Sequence, residues 1–258
     1  MRSSAWLALL AIAAVAAPVT LLVWMPIVFG VPHVANDLRY LVLPLPHWQR
    51  TLALVGCSAL FVLRVVAVAT GTVLLRTEAI VVAAWLVAMV CLAPTSPPRL
   101  TAVLAIAALV IALPVKFALI AATAHNAVAV IAWAAVARPG RRRLAIATVT
   151  LATAACATAL LGPRLADATA LAQAARALHV SPALALAFLM MQAAHYLIWL
   201  VWIPRARPAR AVVLGALLVI AAGCINAPWT RTTYLALATF HIYLELVVLT
   251  ARAARRSS

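Results

Sequence analysis

Acidic residues are nearly missing. The chain has four Asp and Glu against twenty Lys and Arg in 258 residues, and only 9% of it is charged. A soluble domain carries about 25% charged and about 45–50% apolar residues, whereas 68% of this chain is hydrophobic and its mean hydropathy is +1.14. So little charge cannot solvate the surface of a soluble fold of this size, so the solvent is lipid. Cysteine is equally sparse. Cys57, Cys91, Cys156 and Cys224 stand far apart, mostly inside apolar runs, and no CxxC is present. That excludes the common zinc and dithiol motifs and leaves the four as small residues facing core or lipid. Lysine is reduced to Lys116, near the end of an apolar run, where it can snorkel.

What is abundant is arginine, and its placement decides what the net charge of +16 means. The arginines gather in short breaks between apolar runs, as in "RPGRRR" (138–143), "RARPAR" (205–210) and "RAARR" (252–256). Topology-setting charges look like this. A nucleic-acid binder would collect them on a soluble face, and there is no soluble domain to carry one. The Ala- and Arg-heavy composition points to a GC-rich bacterial genome, hence to the bacterial inner membrane.

A crossing needs about twenty apolar residues. Runs of that kind fall near 5–30, 51–75, 79–95, 100–113, 115–137, 144–162, 183–203, 211–227 and 232–251. The first run is too long for a signal-peptide core and has no polar cleavage region, so it reads as a span. Pro114 divides the fourth run from the fifth, and the fourth is short enough to be re-entrant. "PRLADATALAQAARALHVSP" (163–182) reads as a short surface helix. The expectation is an all-α transmembrane bundle of about eight to nine spans, forming one integral membrane domain over 1–258. The three arginine-rich stretches fall on one side, which puts the C-terminus in the cytoplasm.

In lipid an ionisable side chain is expensive, and it marks function by default. Glu78 and Asp167 lie beside breaks, where water can reach them, and His47 and His179 lie in a loop and at the end of the surface helix. Six groups remain: His33, His125, His195, His241, Asp37 and Glu245. His125, His195 and His241 are each about nine to twelve residues into their spans, near one depth at about 1.5 Å per residue. His33 lies at the end of the first run. It joins them if Pro32 bends the chain or if the span runs later. His33 and Asp37 are four apart, and so are His241 and Glu245, so each pair shares a helix face. Tyr234 extends the face of His241, Gln192 accompanies His195, and Asn126 adjoins His125. Arg64, in mid-span, is a counter-ion for Asp37 or Glu245, or else marks a misplaced span.

A single mid-span histidine is often only a hydrogen-bonded helix contact. Four of them with two carboxylates point to a joint metal or proton site, since imidazole is the commonest metal ligand and a neighbouring carboxylate fixes its tautomer. Such a donor set suits iron(II) with open positions for oxygen and substrate. The four histidines are then the candidate metal ligands. Asp37 and Glu245 act beside them in the reaction centre, orienting the rings, or with Glu245 itself a ligand. The bilayer delivers a lipid-soluble substrate. Trp, Phe and Met side chains line its path, although Met190, Met191, Trp85, Trp133, Trp199 and Trp202 read better as packing and interface anchors than as a cofactor box.

"GVPHVANDLRYL" (30–41) resembles the "GxPHGAxDH" segment that closes an early span in the Brp/Blh-type β-carotene 15,15′-dioxygenases. These are bacterial and archaeal multi-span membrane proteins of similar length. On that resemblance His33 matches the motif histidine and Asp37 the motif aspartate, while "HYLIWLVWIP" (195–204) is loosely similar to a late histidine-bearing helix. The resemblance implies non-haem iron held by histidines and cleavage of β-carotene to retinal by oxygen. Val34 replaces the motif glycine, Leu38 stands where a second histidine follows the aspartate, and the family's late paired histidines, four apart, are not present, the nearest thing being His241 with Glu245. The residues alone leave three other readings open. One is a haem held by His125 and His195. Another is a proton-coupled transporter, which predicts a helix broken by Gly or Pro in each half, where only Pro114 is evident. The third is a non-catalytic membrane protein.

Overall fold

The computed structural model describes residues 2–91, 96–137, 141–203 and 209–255. All regular structure among them is helical. The arginine-rich stretches at 138–140 and 204–208 lie outside the described residues. Five helical runs are long and apolar enough to cross a membrane: Pro18–Val42, His47–Thr70, Thr148–Leu165, Pro182–Trp202 and the 43-residue run Arg210–Arg252. A sixth is added if the bent pair Pro97–Ala112 and Pro114–Ala122 is one span. Large apolar side chains such as Leu161, Leu218 and Ile225 are exposed. Water would penalise that surface and lipid accepts it.

The apolar run 5–30 is two helices, α1 (Arg2–Ala16) and α2 (Pro18–Asp37). Pro18 has no N–H for the preceding turn, so it ends one helix and starts the next. α2 then runs on through Pro26 and Pro32 into a π-helical turn, Leu38–Val42. The span therefore lies later than the hydropathy run, and His33 and Asp37 fall inside it.

Two compact units divide the chain: Met1–His33 with Ala129–Thr232, and Val34–Val128 with Thr233–Ser258. In the first unit α1 packs on α7 (Arg141–Leu165) and α9 (Pro182–Leu197), and α7 packs along α9. Ser181 caps α9, its hydroxyl accepting from the Leu184 amide. The expected surface helix is α8 (Ala168–Leu178), laid on α9 through Leu171, Ala174 and Ala175. Asp167 caps it, accepting from the Ala170 amide at 2.7 Å, and His179 closes it in a left-handed conformation. A second π-helical turn, Ile198–Trp202, follows α9. α10 (Arg210–Ala238) breaks at Asn226 (φ −150°, ψ 87°), two residues before Pro228. The Asn226 side chain accepts from the Trp229 amide at 3.1 Å and restarts the helix.

In the second unit α3 (His47–Thr70) packs on α4 (Leu75–Cys91), α4 packs on α5 (Pro97–Ala112), and α11 (Phe240–Arg255) lies against α3 and α4. Gly71, at φ 65°, ends α3. At Leu113–Pro114 the chain turns by 110° from α5 into α6 (Pro114–Ala137). Arg252 of α11 donates to the carbonyls of Tyr40 and Leu41, satisfying the end of the first π turn.

Candidate functional site

In the first unit His33 on α2 and His195 in the last turn of α9 are each 1% exposed. Their Nε2 atoms approach to 2.9 Å, with the rings edge to face at 74°. Tyr196 and Trp199 complete the enclosure of His33, at ring separations of 5.4 and 5.7 Å, and Phe29 packs on Tyr196. The π turn after α9 adds a residue to the helical circuit, a local widening that recurs at functional sites, and Trp199 sits in it. Two nitrogens held about 2.0–2.1 Å from one ion at a right angle lie about 2.9 Å apart. An N–H···N hydrogen bond has the same length. Gln192, one turn before His195, is buried, and its Oε1 finds no hydrogen-bond partner among the described residues.

In the second unit Asp37 and Glu245 are fully buried and close enough to interact electrostatically. A carboxylate oxygen of Asp37 and a ring nitrogen of His241 lie within 4.8 Å. Side chains able to share a metal ion are thus grouped here. His241 and His125 meet edge to face, ring centres 5.5 Å apart. Each ring places Nδ1 on the backbone carbonyl three residues earlier: His125 on Ala122 at 2.8 Å, His241 on Ala238. A carbonyl only accepts, so Nδ1 carries the proton and the ring lone pair falls on Nε2. Asn126, beside His125, is buried, with neither amide atom hydrogen-bonded among the described residues.

The four histidines thus come together as His33 with His195 and as His125 with His241. Asp37 lies one turn beyond His33 on the same helix. His47 and His179 are exposed, as expected, and so is Asp167. Glu78 is not solvated, as its place beside a break suggested. It is 2% exposed and accepts from Arg64 Nη2 at 2.6 Å. This also identifies the partner of Arg64, because α3 and α4 run antiparallel and bring residues 64 and 78 level. Tyr234 belongs to α10, which meets α11 and His241 across a single turn residue, Thr239. Two contributors had no distinguishing signal in the sequence: Cys57, buried close to Asp37, and Tyr243, close to Arg64. No known family, characterised protein or solved structure matches the chain.

Proposed function

We propose that the protein is a membrane-embedded, non-haem iron oxygenase-like protein acting on a lipid-soluble polyene, a divergent relative of the Brp/Blh-type β-carotene dioxygenases. Its eight to nine crossings lie in the bacterial inner membrane with the C-terminus in the cytoplasm. The observation that carries the reading is the 2.9 Å approach of two buried imidazole nitrogens, the separation of adjacent ligands on one ion. The donors suit iron(II), and buried amide atoms of Gln192 and Asn126 that find no hydrogen-bond partner among the described residues leave polar capacity for water or ligand. His33, His195, His125 and His241 supply ring nitrogens, and Asp37 and Glu245 orient rings or complete the ligand set.

Bound iron would supply activation of oxygen. The chain's own groups exclude water, fix ring tautomers through backbone carbonyls, and hold an apolar substrate against Phe29, Tyr196 and Trp199. An apolar groove of about 710 Å³ between α1 and α7, lined by Leu7, Val15, Ala157 and Leu161, offers room for a hydrocarbon chain in the first unit.

The test is metal content of the detergent-purified protein by mass spectrometry, beside His33→Ala/His195→Ala. About one iron per chain, lost in the double variant, is expected, followed by retinal formation from added β-carotene. A folded preparation without metal refutes the reading.

A second reading is favoured by one observation. α10 breaks at Asn226 in the first unit and α5 breaks from α6 at Pro114 in the second, so each unit carries the discontinuous helix that a proton-coupled transporter uses. His33 and His195 would then share a hydrogen-bonded proton. Proton flux in proteoliposomes, abolished by His195→Ala, would select it.

A further inference from the structure

Arg64 and Glu78 form an ion pair whose existence packing alone does not explain. Each charge is costly at membrane depth, and an apolar pair of similar volume would hold α3 to α4 at least as well. The pair has a third member. Tyr243, buried on α11 where that helix packs on α3 and α4, lies within hydrogen-bonding reach of the Arg64 guanidinium. Phe117 of α6 stacks on the same ring, nearly parallel at 8° and 6.3 Å between centres. Glu78 therefore holds the guanidinium, and the guanidinium holds α11.

Tyr243 lies two residues after His241 and two before Glu245. At about 100° per residue it projects from the opposite side of α11 to that pair. Apolar side chains let a helix slide or rotate by small amounts. A directional hydrogen bond from a fixed, charged donor does not.

We propose that Arg64, Glu78 and Tyr243 are positioning residues that fix the rotation of α11 and so the aim of His241 and Glu245. This rests on the metal reading of those two residues. It extends that reading to residues that touch neither metal nor substrate.

The test uses full-length protein in detergent with Tyr243→Phe, Arg64→Met/Glu78→Met and Arg64→Lys. Cobalt(II) titration of metal-stripped protein reads affinity and the visible ligand-field bands. Partners that orient metal ligands from outside typically contribute about 10–100-fold in affinity. Tyr243→Phe and the double Met variant are expected to weaken cobalt binding by about that factor and to shift the bands, with Arg64→Lys recovering part of the loss. Unchanged affinity and bands in folded Tyr243→Phe and in the double variant would overturn the proposal. A second readout needs no metal: the imidazole ¹⁵N resonances of His241, assigned with His241→Gln, move in Tyr243→Phe if α11 rotates. Should the parent protein take up no cobalt, the metal reading fails by itself. The His241 resonances then decide the positioning role, upheld if they move and lost if they stay.

Discussion

Gly56→Ala is the sharpest structural test, because a single methyl meets a rigid obstacle. A Cβ at Gly56 would stand 2.3 Å from Cδ2 of Trp85, 2.4 Å from Cε2 and 2.8 Å from Cε3. To reach even the near edge of ordinary contact, 3.4 Å, the ring must retreat by about 1.1 Å. Trp85 is buried and its indole is one rigid plane, so the shift passes to α4 as a whole. The same two helices meet again two turns along, where Arg64 pairs with Glu78, so the methyl also pulls on that pair. Overpacking of this kind costs about 1–3 kcal/mol, and a ring that cannot fold away belongs at the upper end. Gly162→Ala supplies the contrast. Its Cβ would meet Leu186 Cδ1 at 2.5 Å, but that is the tip of a flexible side chain, so the cost should stay below about 1 kcal/mol. Reversible unfolding in mixed micelles measures both. In a double-mutant cycle with Trp85→Leu, which makes room, the coupling should reach at least about 1 kcal/mol in the relieving direction. Gly56→Ala within about 0.5 kcal/mol of the parent, or strict additivity with Trp85→Leu, would refute the packing argument.

Asn226→Ala removes the side-chain cap that restarts α10, and should lower stability by about 0.5–2 kcal/mol and raise hydrogen exchange at the Trp229 amide. Asn226→Asp, which keeps the acceptor, should restore most of the protection. Arg252→Met deprives the Tyr40 and Leu41 carbonyls of their donor, and should cost about 1–3 kcal/mol with faster exchange confined to the π turn and the residues after it. If the loss is spread evenly over the chain, the turn is not what Arg252 supports.

The parts legible in the sequence are those governed by solvent. Composition requires lipid and helices, and scarcity alone picks out Asp37, Glu245 and the four inner histidines. The surface helix expected over 163–182 is α8. Illegible were the features governed by partners. Hydropathy ends the first run near residue 30, because Pro32, Asn36 and Asp37 lower the average, yet the helix continues to Val42. Hydropathy ends one run at 227 and opens the next at 232, implying a connection over 228–231, whereas the chain is helical there and breaks at Asn226, whose side chain, two residues before a proline, caps the helix that follows. Equal depth singles out His125, His195 and His241, but not their nearest neighbours: within the first unit His195 meets His33, which enters through the longer α2, and within the second His241 meets His125. Nothing in the apolar sequence around Leu38–Val42 or Ile198–Trp202 announces a π turn. Arg64 could be noticed but not assigned, because its partner depends on the register of α3 against α4.

The ring nitrogens bear on the choice between catalysis and proton transfer. A histidine relay takes a proton at one nitrogen and releases one from the other, so both nitrogens must face groups that exchange protons. His125 and His241 fail that requirement on one side. Their Nδ1 protons are held by the carbonyls of Ala122 and Ala238, which accept a hydrogen bond but are far too weakly basic to take the proton onward. A relay through either ring ends at the backbone. Metal ligation has the opposite need: a tautomer locked with its lone pair on Nε2, and a carbonyl on Nδ1–H that raises the basicity of the ligating atom. His33 and His195, nitrogen to nitrogen, satisfy either chemistry. The helix-locked pair therefore adds independent support for the metal reading that the His33–His195 approach carries, and its His241 is the residue that α11, gripped through Tyr243, has to aim.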